Sequence, residues 1–254
     1  MIYRSIVPKG LAALTLSLAI SGTSQANNLI TNGGFETSGG YGQVGYNTSV
    51  TGWSMENSPS YTFLYNSTNA ATGVTGQFGT TALWDSSNNG GAGGGPITAS
   101  PDGGNFIAQD GDFQHSAITQ SLTGLVAGQT YAVSFYWAIA QQEGFNYGTW
   151  DYWKVGLGDE YQVTETKTIP QHVFSGWFDK VTMYFTAKST SEVLSFEAFG
   201  GYDGQTSPGS VPPFALLDGV SMEAVPEPAS MALMGIGLAG ATLFARLRRR
   251  MRTA

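Results

Sequence analysis

From Tyr131 the odd positions are Tyr131, Val133, Phe135, Trp137 and Ile139, and the even ones are Ala132, Ser134, Tyr136 and Ala138. A period of two belongs to a strand whose faces meet different surroundings. The same alternation recurs in Trp153-Val155-Leu157, Val181-Met183-Phe185 and Leu194-Phe196-Ala198. No long stretch carries a period of 3.6. Between the short apolar runs lie clusters of Gly, Pro, Asn and Asp, such as Gly200 to Gly209, which punctuate turns. This pattern predicts an all-β fold, an antiparallel β-sandwich or jelly roll. Ser86 to Gly95 is low in complexity and reads as a flexible surface loop.

Both ends differ from this middle. Residues 1–26 read as a signal peptide with its helix: Arg4 and Lys9 give a positive start, Leu11 to Ile20 is apolar, and Ser24-Gln25-Ala26 offers small residues for cleavage. Residues 225–254 begin Val225-Pro226-Glu227-Pro228, continue with an uncharged stretch from Ala229 to Ala245, and close on Arg246, Arg248, Arg249 and Arg250. The stretch 229–245 is expected to be a single C-terminal transmembrane helix, with its arginines on the cytoplasmic side and residues 27–224 outside. Residues 27–224 then form one exported β-sandwich domain.

That domain holds four lysines, no arginine and 17 acidic residues, a balance of −13. Such a surface repels nucleic acid and lacks the guanidinium forks that read phosphates, so nucleic acid is excluded as a partner. The absence of cysteine removes disulfides, thiolate metal sites and cysteine nucleophiles. His115 and His172 have no ligand spacing and read as loop histidines. Asp85 to Gly90 has the start of a calcium loop, but its twelfth position is Pro96 where a glutamate is needed.

The C-terminal segment resembles the sorting signal of PEP-CTERM proteins through Pro226-Glu227-Pro228, the Ala/Leu/Gly-rich helix and Arg248, Arg249 and Arg250. The resemblance implies an exosortase-type membrane peptidase as partner, membrane anchoring before processing, and a final place at the cell surface or in the extracellular matrix. Asn28 to Glu36, Phe106 to Gly111, Ile118 to Leu122, Gly128 to Phe135 and Phe214 to Val220 resemble, in order, strands of jelly-roll carbohydrate-binding modules with the galactose-binding-like fold. That likeness implies binding of extracellular polysaccharide.

The residues add their own indications. Gln141 to Trp153 gathers Phe145, Tyr147, Trp150, Asp151, Tyr152 and Trp153 among amides and glycines. Flat rings beside polar groups suit sugars, whose C–H faces stack while hydroxyls take directional hydrogen bonds. Trp150, Tyr147, Tyr152 and Asp151 are therefore the candidate carbohydrate-binding residues, whereas Trp153 is expected to begin a buried strand. Asp110 with Asp112, or Glu143 with Asp151, are the carboxylate pairs a polysaccharide-modifying enzyme could use; Asp110-Gly-Asp112 reads first as a turn. No nucleophile elbow, zincin or phosphate-loop motif is present, and the expectation is no enzyme. A structural matrix protein without a glycan site is the alternative.

Asp218 falls in phase with the even, apolar positions Phe214, Leu216, Val220 and Met222. A carboxylate facing a core must be paired, hydrogen-bonded or neutralised, and the domain has no arginine to offer. A hard cation bound by oxygens is a good candidate partner; the alternative is that Asp218 sits at a strand bulge and accepts backbone N–H bonds. The jelly-roll resemblance implies a structural Ca2+ joining first and last strands through Glu36 and Asp218, with oxygens near Asn32 or Asp102.

Overall fold

The computed structural model describes residues 27–88, 95–204 and 211–226. The signal segment, most of the low-complexity loop, Glu227, Pro228, the apolar stretch 229–245 and the terminal arginines lie outside the described residues. Within them no helix is long and apolar enough to cross a membrane.

Two antiparallel sheets face each other. The first runs in the order β1 (Gly42–Gln43), β3 (Thr62–Asn66), β6 (Asn105–Asp110), β14 (Pro213–Ala224), β8 (Thr130–Gln141) and β12 (Val181–Thr186). The second runs β10 (Glu160–Val163), β9 (Thr149–Leu157), β13 (Ser191–Tyr202), β7 (Ile118–Thr123) and β2 (Ser54–Met55), with β11 (Lys167–Ile169) also on β9. A hairpin of β4 (Val74–Gly76) and β5 (Gly79–Thr81) stands apart. The fold is the antiparallel jelly-roll sandwich that the alternation predicts.

The odd residues of β8, with Trp153, Val155, Leu194, Phe196, Met183 and Phe185, fill the space between the sheets. Trp153 is buried there as expected, its indole Nε1 donating to the Leu216 carbonyl. Gln109 ties the two sheets: its Oε1 accepts from the Ala198 amide of β13 at 2.6 Å, while its amide nitrogen donates to Thr62 and Ser116 within reach of β3. The outer face of the first sheet is also covered. Tyr61, Phe63, Tyr65, Leu83, Phe106, Phe174, Phe214 and Leu216 form a second apolar cluster there.

This second cluster corrects the reading of the last strand. Residues 213–220 are buried on both faces, because β14 lies between β6 and β8 with apolar layers on either side. Phe214 and Leu216 point to the outer cluster, whereas Val220 and Met222 point between the sheets. The even positions therefore do not share one face. The register slips between Asp218 and Ser221, where Gly219 adopts a φ of 60°, and this bulge exchanges the two faces. Asp218 stands at the start of that bulge.

Candidate functional site

Alternation in β9 places Thr149, Asp151, Trp153 and Val155 inward and Trp150, Tyr152 and Lys154 outward. Trp150 and Tyr152 are neighbours along the strand, with ring centroids 6.1 Å apart and planes 13° from parallel. Register pairs Tyr152 with Phe199 of β13, whose ring lies 5.4 Å away at 12°. The three half-buried rings make one row across the outer face of the second sheet. Trp150 is seated over Gly201: a Cβ there would come within 3.0 Å of the indole Cζ2.

Polar groups border the row. Lys154 Nζ sits 4.4 Å from the ring centroid of Tyr161, which is 53% exposed, and 3.7 Å from Glu197 Oε2. Glu197 Oε1 lies 3.2 Å from His115 Nδ1, and the His115 ring meets Phe199 edge to face at 4.9 Å. Beyond Phe199 the surface dips into a groove of about 430 Å³ lined by Glu56, Thr119, Lys154, Tyr161, Ser195 and Glu197. Rings, a cation, a carboxylate and hydroxyls thus share one open face.

Of the four sugar-contact candidates, Trp150 and Tyr152 come together on this face. Tyr147 is 42% exposed at the end of the same sheet, edge-on to Tyr202 at 5.6 Å and outside the three-ring row. Asp151 is fully enclosed on the opposite side of β9, so it cannot reach a ligand lying on Trp150. Strand parity separates it from its neighbours in sequence. Phe199, Lys154, Tyr161, Glu197 and His115 were not singled out as contacts; the available signal was an aromatic in the outward, polar phase of β13.

The carboxylate pairs fare differently. Asp110 Oδ1 accepts the amides of Asp112 at 2.9 Å and Phe113 at 3.0 Å, the turn that the sequence suggests. Glu143 is exposed while Asp151 is enclosed, so that pair does not face across a cleft. Desolvation lifts Asp151 well above the ordinary carboxylate range, with the charge of Asp110 adding to it. His115 and His172 both lie in loops; the His172 ring packs 4.2 Å from Trp84.

The candidate metal residues lie at the other end of the sheet pair. Asp218 Oδ2 accepts from Ser100 Oγ, and Oδ1 is buried without a partner. A Cβ on Gly34 would fall 2.8 Å from Asp102 Oδ2, 3.8 Å from Asp218 Oδ1 and 3.9 Å from Glu36 Cγ. Asp102 and Asp218 therefore approach the Gly34 backbone, while the Glu36 carboxylate lies against Gly104 and accepts from Asn105 N. Burial first, then the charges of Asp102 and Glu36, push the Asp218 carboxyl up to about 8, against the opposing bond from Ser100. Among the described residues no three His, Asp or Glu side chains are grouped closely enough to hold a metal ion. The donor types nevertheless suit a hard cation: three carboxylates, one with an orphaned buried oxygen, and, among the described residues, no basic side chain paired with them. Asn32 does not fit. Its carbonyl already accepts from Phe35 N and Trp53 Nε1, and its side chain is spent on Thr37 and Thr51. Gly104 leaves room for the Glu36 carboxylate: a Cβ there would overlap Glu36 Oε1 at 1.7 Å.

Comparison with known proteins gives the following. Residues 224–250 match the PEP-CTERM protein-sorting motif. No curated protein sequence matches the chain. Among solved structures, a CBM4 module is 16% identical over 77% of this chain and 99% of its own, with a TM-score of 0.33. A CBM22 xylan-binding domain from Paenibacillus barcinonensis is 10% identical over 80% and 97%, with a TM-score of 0.38. A CBM61 structure in complex with beta-1,4-galactotriose is 15% identical over 78% and 99%, with a TM-score of 0.30. The chain thus carries a PEP-CTERM protein-sorting motif, a signal of exported proteins, at the end of an antiparallel jelly-roll domain.

Proposed function

We propose that residues 27–224 form an exported, non-catalytic polysaccharide-binding module. An exosortase-type membrane peptidase sorts it through residues 225–254, and it comes to rest at the cell surface or in the extracellular matrix. The observation that carries this reading is the row Trp150-Tyr152-Phe199 beside the groove of Lys154, Tyr161 and Glu197. Sugar rings present apolar C–H faces to such a row and hydroxyls to the bordering charges. An open groove on a sheet face suits the side of a long chain rather than a small enclosed ligand.

A structural Ca2+ held by Glu36, Asp102 and Asp218 belongs to the same proposal. When bound it would neutralise the carboxylates and tie the first segment of the domain to the last strand; Ser100 and the Glu36–Asn105 bond orient the ligands.

Affinity electrophoresis of the purified chain through the organism's own exopolysaccharide, with Trp150→Ala and Tyr152→Ala beside wild type, tests the reading. Retardation of wild type that both variants lose supports it. Equal mobility of all three, with and without polysaccharide, leaves the matrix-protein alternative.

A further inference from the structure

A separate cavity of about 170 Å³ opens at the outer side of the first sheet, lined by Tyr61, Phe78, Asp110, Phe113, Phe145 and Gln142. Tyr61, Phe78 and Phe113 contact one another, with ring centroids 5.5–6.1 Å apart. Phe78, at the tip of the β4–β5 hairpin, is 64% exposed and Phe113 is 41% exposed. Large rings left this open on a soluble surface mark a binding position more often than chance. At the base lies Asp110, fully buried. Its Oδ1 is satisfied by the turn amides, but Oδ2 has no partner.

The unmet need of this site is specific. A buried carboxylate oxygen demands a donor, and burial of its charge demands a counter-charge. Among the described residues no lysine or histidine lines the cavity, and Asp112 adds negative charge nearby. An inorganic cation is poorly served, because one carboxylate and one amide fall short of the six to eight oxygens calcium takes, or the octahedron magnesium requires. Aromatic walls favour an organic cation, whose C–H groups they cover and whose charge they attract.

We propose that this cavity binds a protonated primary amine on a compact body, the ammonium donating to Asp110 Oδ2 and the adjoining carbons packing on Phe78, Phe113 and Tyr61. Two sources carry that chemistry: a de-N-acetylated hexosamine of a polysaccharide, or a free alkylamine such as a lysine side chain. The site is independent of the aromatic row on the second sheet.

Isothermal titration of the full-length chain with glucosamine, N-acetylglucosamine, n-butylammonium and tetramethylammonium tests it. Glucosamine or n-butylammonium, or both, should bind, and N-acetylglucosamine and tetramethylammonium should bind at least about tenfold more weakly, since neither offers an ammonium N–H. Glucosamine ahead of n-butylammonium assigns the sugar source, and the reverse order the alkylamine source. Asp110→Asn should remove the binding. Phe78→Ala, at the exposed tip of the β4–β5 hairpin, should weaken it. N-acetylglucosamine or tetramethylammonium binding as well as the primary amines, no binding by any amine, or Phe78→Ala indistinguishable from wild type overturns the proposal.

Discussion

The indole of Trp150 covers Gly201, the residue directly across from it on β13, and the strand has no other side chain at that point to hold it away. An aromatic lying on a cross-strand glycine gains packing that the glycine cannot supply itself. Gly201→Val would lift the ring off the sheet and out of line with Tyr152. Retention on polysaccharide should fall between about twofold and tenfold, the range that about 0.5–1.5 kcal/mol of aromatic contact corresponds to. Affinity electrophoresis reads this directly, and unchanged retention removes Trp150 from the platform.

Trp150 and Trp153 should respond in opposite ways to truncation. Trp150→Ala acts on a half-buried outward ring and should cost binding while moving Tm by less than about 3 °C. Trp153→Ala opens a void between the sheets and should cost about 3–5 kcal/mol, seen as a large drop in Tm or loss of soluble protein. A comparable Tm loss from both would make Trp150 a core residue.

For the proposed calcium site, excess metal should raise Tm and a chelator should lower it, because a cation held by Asp218 with Asp102 and Glu36 would bind the folded state alone. Asp218→Ala should erase the difference. Gly104→Ala should erase it too, since its Cβ collides with the Glu36 carboxylate and its φ of 60° disfavours a side chain. A stripped protein that melts at one temperature with and without calcium refutes the clasp.

The buried acids make metal-free stability depend on pH. Asp218 is pushed up to about 8 and Asp110 to about 7, in both cases mainly by burial. Unfolded, both titrate near the ordinary aspartate value of about 3.9. Between about pH 4 and 8 the folded state therefore holds more protons than the unfolded one, so these groups subtract stability as pH rises through that window. In chelator, Tm should fall from pH 5 to pH 8. The increment from added calcium should grow over the same interval, because calcium takes the ionised carboxylate. A Tm in chelator that climbs steadily to pH 8 contradicts the assignment.

Replacing Pro226-Glu227-Pro228 by alanines should prevent processing at the sorting motif. Intact mass and membrane fractionation should show the wild type losing its C-terminal segment and the variant retaining it in the inner membrane. Identical mass and fraction for both would reduce the segment to a passive anchor.

The strands facing one apolar and one wetter side were legible in the sequence: β8, β9, β12 and β13 keep the parity read from Tyr131, Trp153, Val181 and Leu194. β14 was not, because a strand covered on both faces loses its alternation and the Gly219 bulge then shifts what remains. The same parity explains the site. Composition points to Trp150, Tyr152 and Asp151 together, but alternation turns Asp151 to the face opposite its two neighbours, a distinction visible only once the strand is known to begin at Thr149. Phe199 and Glu197 reach the platform through the β9–β13 register, a pairing of residues some fifty positions apart. Asp218 and Asp102 likewise approach one another only near Gly34, through the closing of the first segment on the last strand, though a lone acid in an apolar run marks Asp218.

The last strand leaves the fold at a reinforced point. Val225 N donates to the Thr130 carbonyl and Gln129 Nε2 to the Val225 carbonyl, immediately before Pro226. Asn28 and Leu29 grip Met222 beside them. Tension applied to the chain beyond Val225 consequently enters through β14, held on one side by β6 and on the other by β8. Such a pull runs along the strand and loads its flanking ladders in parallel, as shear, where a pull on an edge strand would peel hydrogen bonds one at a time. A pull from that end is borne in the first sheet, whereas the face of Trp150 belongs to the second and lies outside the loaded path.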